Sequence, residues 1–257
     1  MDPNQIIGAG VDAYNALDAD SKHALTYPSA KTLGNATDGL ISLICYPLLK
    51  AQIFTQEKLK QYKLEVKEKI SEIPENNRDR GKFGLVLKAI EESRYQLNED
   101  NIREMYVNLI SSTVDNRKNN LVNPRLATVV AQFGPDEAKF LKLLYQQDGQ
   151  QLPYGQLRLD LGNGFGYTFP TKIAIDSNSK IVNSFNSSLD ILVSLGIAND
   201  KQSNRLAQSD DKYATIEKIL RATINKPAEY EDNTCNLVNS YINLTNFGYD
   251  LCKCIFE

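Results

Sequence analysis

Cys252 and Cys254 stand one residue apart in "LCKCIFE", and Cys235 lies a short way upstream. Thiolates can bind zinc or exchange disulfides when further ligands join them. A closed tetrahedral zinc site needs four ligands, and no Cys-x-x-Cys pair is present to form a turn-based knuckle. On a helix, residues two apart point about 200° from each other, so these two thiols cannot chelate one ion. Adjacent disulfide geometry is equally poor. The expectation is therefore buried, inert thiols and no metal. Cys45 is the fourth cysteine, and His23 is the single histidine. One ring excludes a multi-histidine metal site. It lies in the polar stretch "DADSKHALTYPSA", without the rigid frame that a catalytic triad needs.

Three other groups could meet a ligand. "LGNGFGYTF" holds Gly162, Gly164 and Gly166. A phosphate-cradling loop needs a helix N-terminus directly behind its glycines, and strand-like residues follow here, so a turn or loop is expected. "RDRGK" gathers Arg78, Arg80 and Lys82, a cluster too small to establish nucleic-acid binding. Glu91, Glu92, Glu99, Asp100 and Glu104 are dense but fall where helix caps and solvated faces are expected. No catalytic, cofactor-binding or metal-ligating residue emerges, and no cofactor is implied.

The elements around these residues must come from 257 residues, 42% of them hydrophobic, which is enough for one large domain or two small ones with real cores. A net charge of −3 argues against a surface coated for nonspecific nucleic-acid binding. The sequence "MDPNQIIGAG" lacks the basic and apolar regions of a signal peptide, so reduced thiols and a cytoplasmic location are expected. The longest apolar stretch, "GLISLICYPLLKAQIF", is short for a membrane span and carries Pro47 and Lys50.

Residues 1–32 read as a loosely ordered arm, and 33–54 as core or interface helix. Thr55 caps an amphipathic helix in which Leu59, Tyr62, Val66, Ile70 and Ile73 share a face and Glu65 pairs with Lys69. A second helix follows in "KFGLVLKAIEESRYQL". Asn98 is the expected cap of a third, whose stripe is Ile102, Met105, Tyr106, Leu109 and Ile110. Asn123 and Pro124 open a fourth, and Pro135 a fifth after Gly134. Short connections predict an antiparallel helical bundle over 33–133.

The character changes after Gln147, and 134–257 form the second domain. A helix in "VNSFNSSLDILVSLG" should bury Leu189, Leu192, Val193 and Leu195, and Gly196 should end it. "IAND" and "YINLT" read as strands, and "DDKYATIEKILRATIN" and "NFGYDLCKCIF" as helices. Many winged-helix domains end in a strand reading roughly Tyr-x-Leu-Thr, then x-x-Gly and a helix. Tyr241, Leu244, Thr245 and Gly248 resemble that pattern, with Thr245 as the cap and Gly248 allowing close packing. The predicted fold is mainly α: a helical bundle followed by a winged-helix-like α+β domain with short strands and insertions.

The chain also resembles the abortive-infection alpha family of bacterial phage-defence proteins. Three blocks carry the likeness: "EESRYQLNEDNIREMYVNLISSTVD", strongest from Arg103 to Ser112; "NPRLATVVAQFGPDEAKFLKLL"; and "LTNFGYDLC". With the Lys/Glu helix before them they span most of 55–257. Family members typically carry a histidine where this chain has Asn123, a departure that weakens any role of that position as a catalytic base or metal ligand. The resemblance implies a role in defence against phage, often on mobile elements, and supplies no reaction. The leading expectation is a non-enzymatic protein that acts by binding a protein partner, of phage or host. The rivals are a winged-helix DNA-binding regulator and a membrane-active effector using 33–54. A hydrolase or nuclease without a recognisable motif ranks last. Oligomeric state is left open.

Overall fold

The computed structural model describes residues 56–79 and 81–257. His23, Cys45, Arg80, the 1–32 arm and the apolar 33–54 segment lie outside the described residues. The chain divides between Ala131 and Gln132 into two compact units.

Four helices make up the described part of the first unit: α1 (Gln56–Ser71), α2 (Phe83–Ser93), α3 (Asp100–Val114) and α4 (Arg125–Val130). Tyr62, Val66, Ile70 and Ile73 are all buried, as their spacing of four, four and three requires. The third helix differs from its expected single stripe. It packs against α1, α2 and α4 together, so Val107, Asn108, Ser112 and Thr113 are buried along with the apolar positions. A helix walled on three sides keeps exposed residues only near its start, at Asp100, Asn101 and Glu104.

Local chemistry at the helix ends also departs from expectation. Glu99, not Asn98, is the residue preceding α3, and it has extended backbone. The Asn98 amide oxygen instead accepts from Lys58 Nζ at 2.7 Å. Glu65 is taken by Arg103 Nε at 3.0 Å rather than by Lys69, which reaches Glu72. Arg103 also donates to Asp100 and to the carbonyl of Leu97, tying α1 to the start of α3. The helix after Pro124 is only six residues long, and Asn123 Oδ1 accepts from the Arg125 amide ahead of it. At the far end of α3, buried Asp115 accepts from both the amide and the guanidinium of Arg117. The Arg117 side chain holds its carboxyl below the usual carboxylate range.

The second unit is built on a sheet. α5 (Pro135–Tyr145) leads into β1 (Gln151–Gly162), β2 (Phe165–Thr168), β3 (Ile173–Ile175) and β4 (Ile181–Val182). Then come α6 (Asn186–Ser194), β5 (Ala198–Lys201), α7 (Asp210–Thr223), β6 (Cys235–Leu244) and α8 (Asn246–Phe256). The strand order is β4-β3-β1-β6-β5, with β2 paired to the distal half of β1, and every pairing is antiparallel. The molecule is thus mixed, with eight helices and a six-stranded sheet among the described residues, rather than mainly α with short strands. Twelve-residue β1 and ten-residue β6 pair along nine positions. The alternation Leu157, Leu159, Leu161 against Gln156, Arg158, Asp160 carries the strand period. Pro153 and Gly155, unusual inside a strand, break that pattern at its start.

Helix α7 covers one face of the sheet. Tyr213, Ile216 and Leu220 pack onto Leu157, Leu159, Phe169, Ile173 and Ile175. Gly155 is required there, because a Cβ would stand 2.8 Å from both Ile216 and Leu237. The α6–β5 turn joins Gly196 N–H to the carbonyl of Val193 and Ile197 N–H to that of Leu192. This is a Schellman closure with Gly196 at φ +73°. Leu189 and Leu192 are buried as expected, but Val193 faces outward. The helix presents a narrow seam to the core, and Val193 falls off it.

Candidate functional site

The three thiols among the described residues fall on two elements. Cys252 and Cys254 are buried on α8, and Cys235 is half-buried at the start of β6. Among the described residues no group of three or more His, Cys, Asp or Glu is arranged to hold a metal ion. Burial, reinforced by the neighbouring Cys254, pushes the Cys252 thiol well above its ordinary value. Both buried thiols should stay unmodified by an aromatic disulfide reagent until the protein is unfolded. Cys252→Ser should cost about 2 kcal/mol by burying a hydroxyl, with no metal-dependent phenotype. Rapid labelling of native Cys252, or stoichiometric zinc in the purified protein, would overturn this reading.

The two described cations of the basic cluster, Arg78 and Lys82, both reach backbone carbonyls. Arg78 Nε donates to the carbonyl of Ile73 at 2.9 Å, and Lys82 Nζ to that of Asn119 at 2.8 Å. Each cation bonds the carbonyl just beyond a helical segment of the first unit, Ile73 after α1 and Asn119 after the turn at Asn116–Lys118.

The glycine run is the tip of the β1–β2 hairpin. Gly162, Asn163 and Gly164 have φ of +85°, +52° and +82°, and Asp160 Oδ1 accepts the Gly162 amide. A strand follows instead of a helix, so no phosphate cradle forms. Composition did not reveal what the hairpin displays. Phe165 is 73% exposed, Tyr167 52% and Leu161 39%. Tyr167 stands edge-on to Phe169 at 5.2 Å between ring centres. Beside Phe165 lies an open cleft of about 240 Å3, lined by Arg158, Asp160, Asn163, Phe165 and Asn236 among others. Strand β2 pairs only with β1, so its outer edge has no strand beside it among the described residues. Large apolar side chains on a projecting hairpin suit a contact surface better than a core.

A partly buried cluster gathers around Asp200. Tyr154 Oη donates to Asp200 Oδ1 at 2.6 Å, Gln202 donates to Oδ2 at 2.9 Å, and Lys172 Nζ lies 3.7 Å from the same oxygen. Burial and the bond to Asp200 push the Tyr154 phenol well above its ordinary value, so it stays protonated and donates. The cluster ties β1 and β5 to the segment entering β3.

A family model described as abortive infection alpha matches residues 54–255. The chain belongs to the abortive infection alpha family. A solved structure of an uncharacterised protein from Alcanivorax borkumensis SK2 is similar at 16% identity, covering 55% of this chain and 96% of that one, with a TM-score of 0.28. No curated protein matches the chain. The blocks that carry the family likeness have structural employment here. Arg103 joins α1 to α3, while Met105, Tyr106, Leu109 and Ile110 fill the first core. Pro135 opens α5, where the Glu137 carboxylate accepts the Gly134 amide at 2.8 Å and the Ser188 hydroxyl on α6. Thr245 caps α8 by accepting the Gly248 amide at 2.9 Å. Among the described residues no helix is long and apolar enough to cross a membrane.

Proposed function

We propose that this member of the abortive infection alpha family contributes to anti-phage defence by binding a protein partner, not by catalysis, and that the β1–β2 hairpin is the contact surface. The observation that carries the reading is the exposure of Leu161, Phe165 and Tyr167 on one projecting hairpin with an open strand edge. It fits the conspicuous polar groups of the second unit, which are engaged in holding the fold: Asp200 by Tyr154, Glu137 by the Gly134 amide, and Asp176 by the amides of Asn178 and Lys180.

The second unit is read as winged-helix-like. The strand order β1-β6-β5 and the passage of α6 directly into β5 favour that reading, with β2–β4 and α7 as insertions. The helical first unit is read as the bundle. DNA binding is the lesser alternative. Helix α6, "NSSLDILVS", has no Lys or Arg to meet phosphate.

The test is expression of the full chain in a sensitive bacterium and plaquing across a broad phage panel. The expected result is at least a tenfold loss of plaques for some phage, abolished by Phe165→Ser/Tyr167→Ser in protein that accumulates normally. Unchanged plaquing with the wild-type chain would sink the defence role. Full protection by the double variant would sink the hairpin as its surface.

A further inference from the structure

Arg158 sits midway along the distal half of β1, between Asn236 on β6 and Thr168 on β2. Among the described residues no hydrogen bond or ion pair engages its guanidinium. The residue is exposed, and its guanidinium lies beside Gly166. A Cβ on Gly166 would stand 2.8 Å from Arg158 Nε and 2.9 Å from Nη2, so the guanidinium lies against bare backbone that any larger residue would fill. Glycine at 166 therefore serves the arginine as well as the strand, since the same Cβ would also meet the Leu159 carbonyl at 2.8 Å.

The cleft in front of Arg158 has one cation and one anion in its lining, Arg158 and Asp160. Asp160 is two residues along the same strand face, and its Oδ1 already accepts the Gly162 amide. A polyanion would meet a single positive charge with a carboxylate beside it, whereas nucleic-acid binding draws on several cations together. One carboxylate suits the site better. A planar guanidinium binds a carboxylate through two parallel N–H···O bonds, and the Asn163 and Asn236 amides lie in the same lining. Phe165 lines the same cleft and is mostly exposed, free to take an apolar side chain next to the acid.

We infer that Arg158 is the receptor for a single carboxylate on a partner protein, an Asp or Glu set among apolar residues, with Phe165 covering the apolar neighbour. This rests on the hairpin being the partner surface and adds the chemistry that it selects.

The probe is a library of octapeptides with randomised flanks around a fixed central Asp, with matched libraries fixed at Asn and at phosphoserine, and a labelled twelve-nucleotide oligothymidylate. Full-length protein should select Asp peptides with apolar flanks at least tenfold over their Asn matches. Arg158→Gln should erase that preference with the fold intact by circular dichroism, and Arg158→Lys should recover only part of it. Phe165→Ser should weaken Asp and Asn peptides alike. No selection from the Asp library, equal binding of the Asn match, or a preference that survives Arg158→Gln would overturn the inference. Arg158-dependent capture of phosphoserine over Asp, or of the oligothymidylate, would replace the carboxylate with a phosphate. Protection from phage that needs Phe165 and Tyr167 but tolerates Arg158→Gln would leave the hairpin surface standing and remove only the carboxylate.

Discussion

Gly248→Ala should destabilise the second unit by about 3 kcal/mol or more, although alanine is the better helix former. Gly248 is the third residue of α8, after the Thr245 cap. A Cβ there would lie 2.1 Å from the carbonyl oxygen of Ile197 and 2.9 Å from its carbon. The obstacle is backbone, which cannot rotate aside as a side chain can. That carbonyl also accepts the Thr245 amide at 2.9 Å and lies 3.1 Å from the Thr245 hydroxyl, which donates to the Gly196 carbonyl at 2.7 Å. Moving it would break the junction joining the α6–β5 turn to α8. Helix propensity taken alone predicts a gain of about 1 kcal/mol for the same change. The two accounts differ in sign, so urea unfolding followed by far-ultraviolet circular dichroism decides between them. A stabilised alanine variant would show that α8 stands further from Ile197 than described.

Asp200→Ala should cost about 3 kcal/mol, by leaving the buried Tyr154 hydroxyl and the Lys172 ammonium without their acceptor. The side chains of Lys172 and Asp200 are 11% and 12% exposed, so water reaches them too little to replace the lost carboxylate fully. Asp200→Asn keeps an acceptor for Tyr154 and loses the charge facing Lys172, and should cost about 1–2 kcal/mol. Tyr154→Phe in the Asp200→Ala background should add less than it does alone, because the two residues share one bond. The chain has thirteen tyrosines and no tryptophan, so tyrosine fluorescence serves as a second probe of the transition. Equal costs for Asp200→Ala and Asp200→Asn would show that Tyr154 does not depend on this acceptor.

Local signals are legible where a single residue type does a local job. Thr245 as the α8 cap, Pro135 as the first residue of α5 and Gly196 as the end of α6 each depend on neighbours within a few positions. The buried face of α1 was equally legible, because its period is set by one helix against one core. Strand β1 is not legible in the sequence, although its second half alternates cleanly. Pro153 and Gly155 are tolerated in it because β6 supports the strand along nine positions and because α7 packs so close to Gly155 that only glycine fits.

The candidate site was legible only in part. The glycines marked a turn, and the turn is there, but nothing in "LGNGFGYTF" says which of its aromatics face outward. Phe169, four residues after Phe165, is buried, while Phe165 is mostly exposed. Both are phenylalanine in a β-rich stretch, and only the lie of α7 across the sheet separates them.

The sequence by itself determined the family, the buried face of α1, and the helix boundaries at Pro135, Gly196 and Thr245. These rest on spacing and local hydrogen bonding, which act over a few residues. The tertiary structure alone decided which partner each charge found: Arg103 for Glu65, backbone carbonyls for Arg78 and Lys82, Tyr154 for Asp200, and none among the described residues for Arg158. Charge pairing has no sequence period. It depends on which surfaces the packed cores bring within about 4 Å, and packing is settled over the whole unit at once.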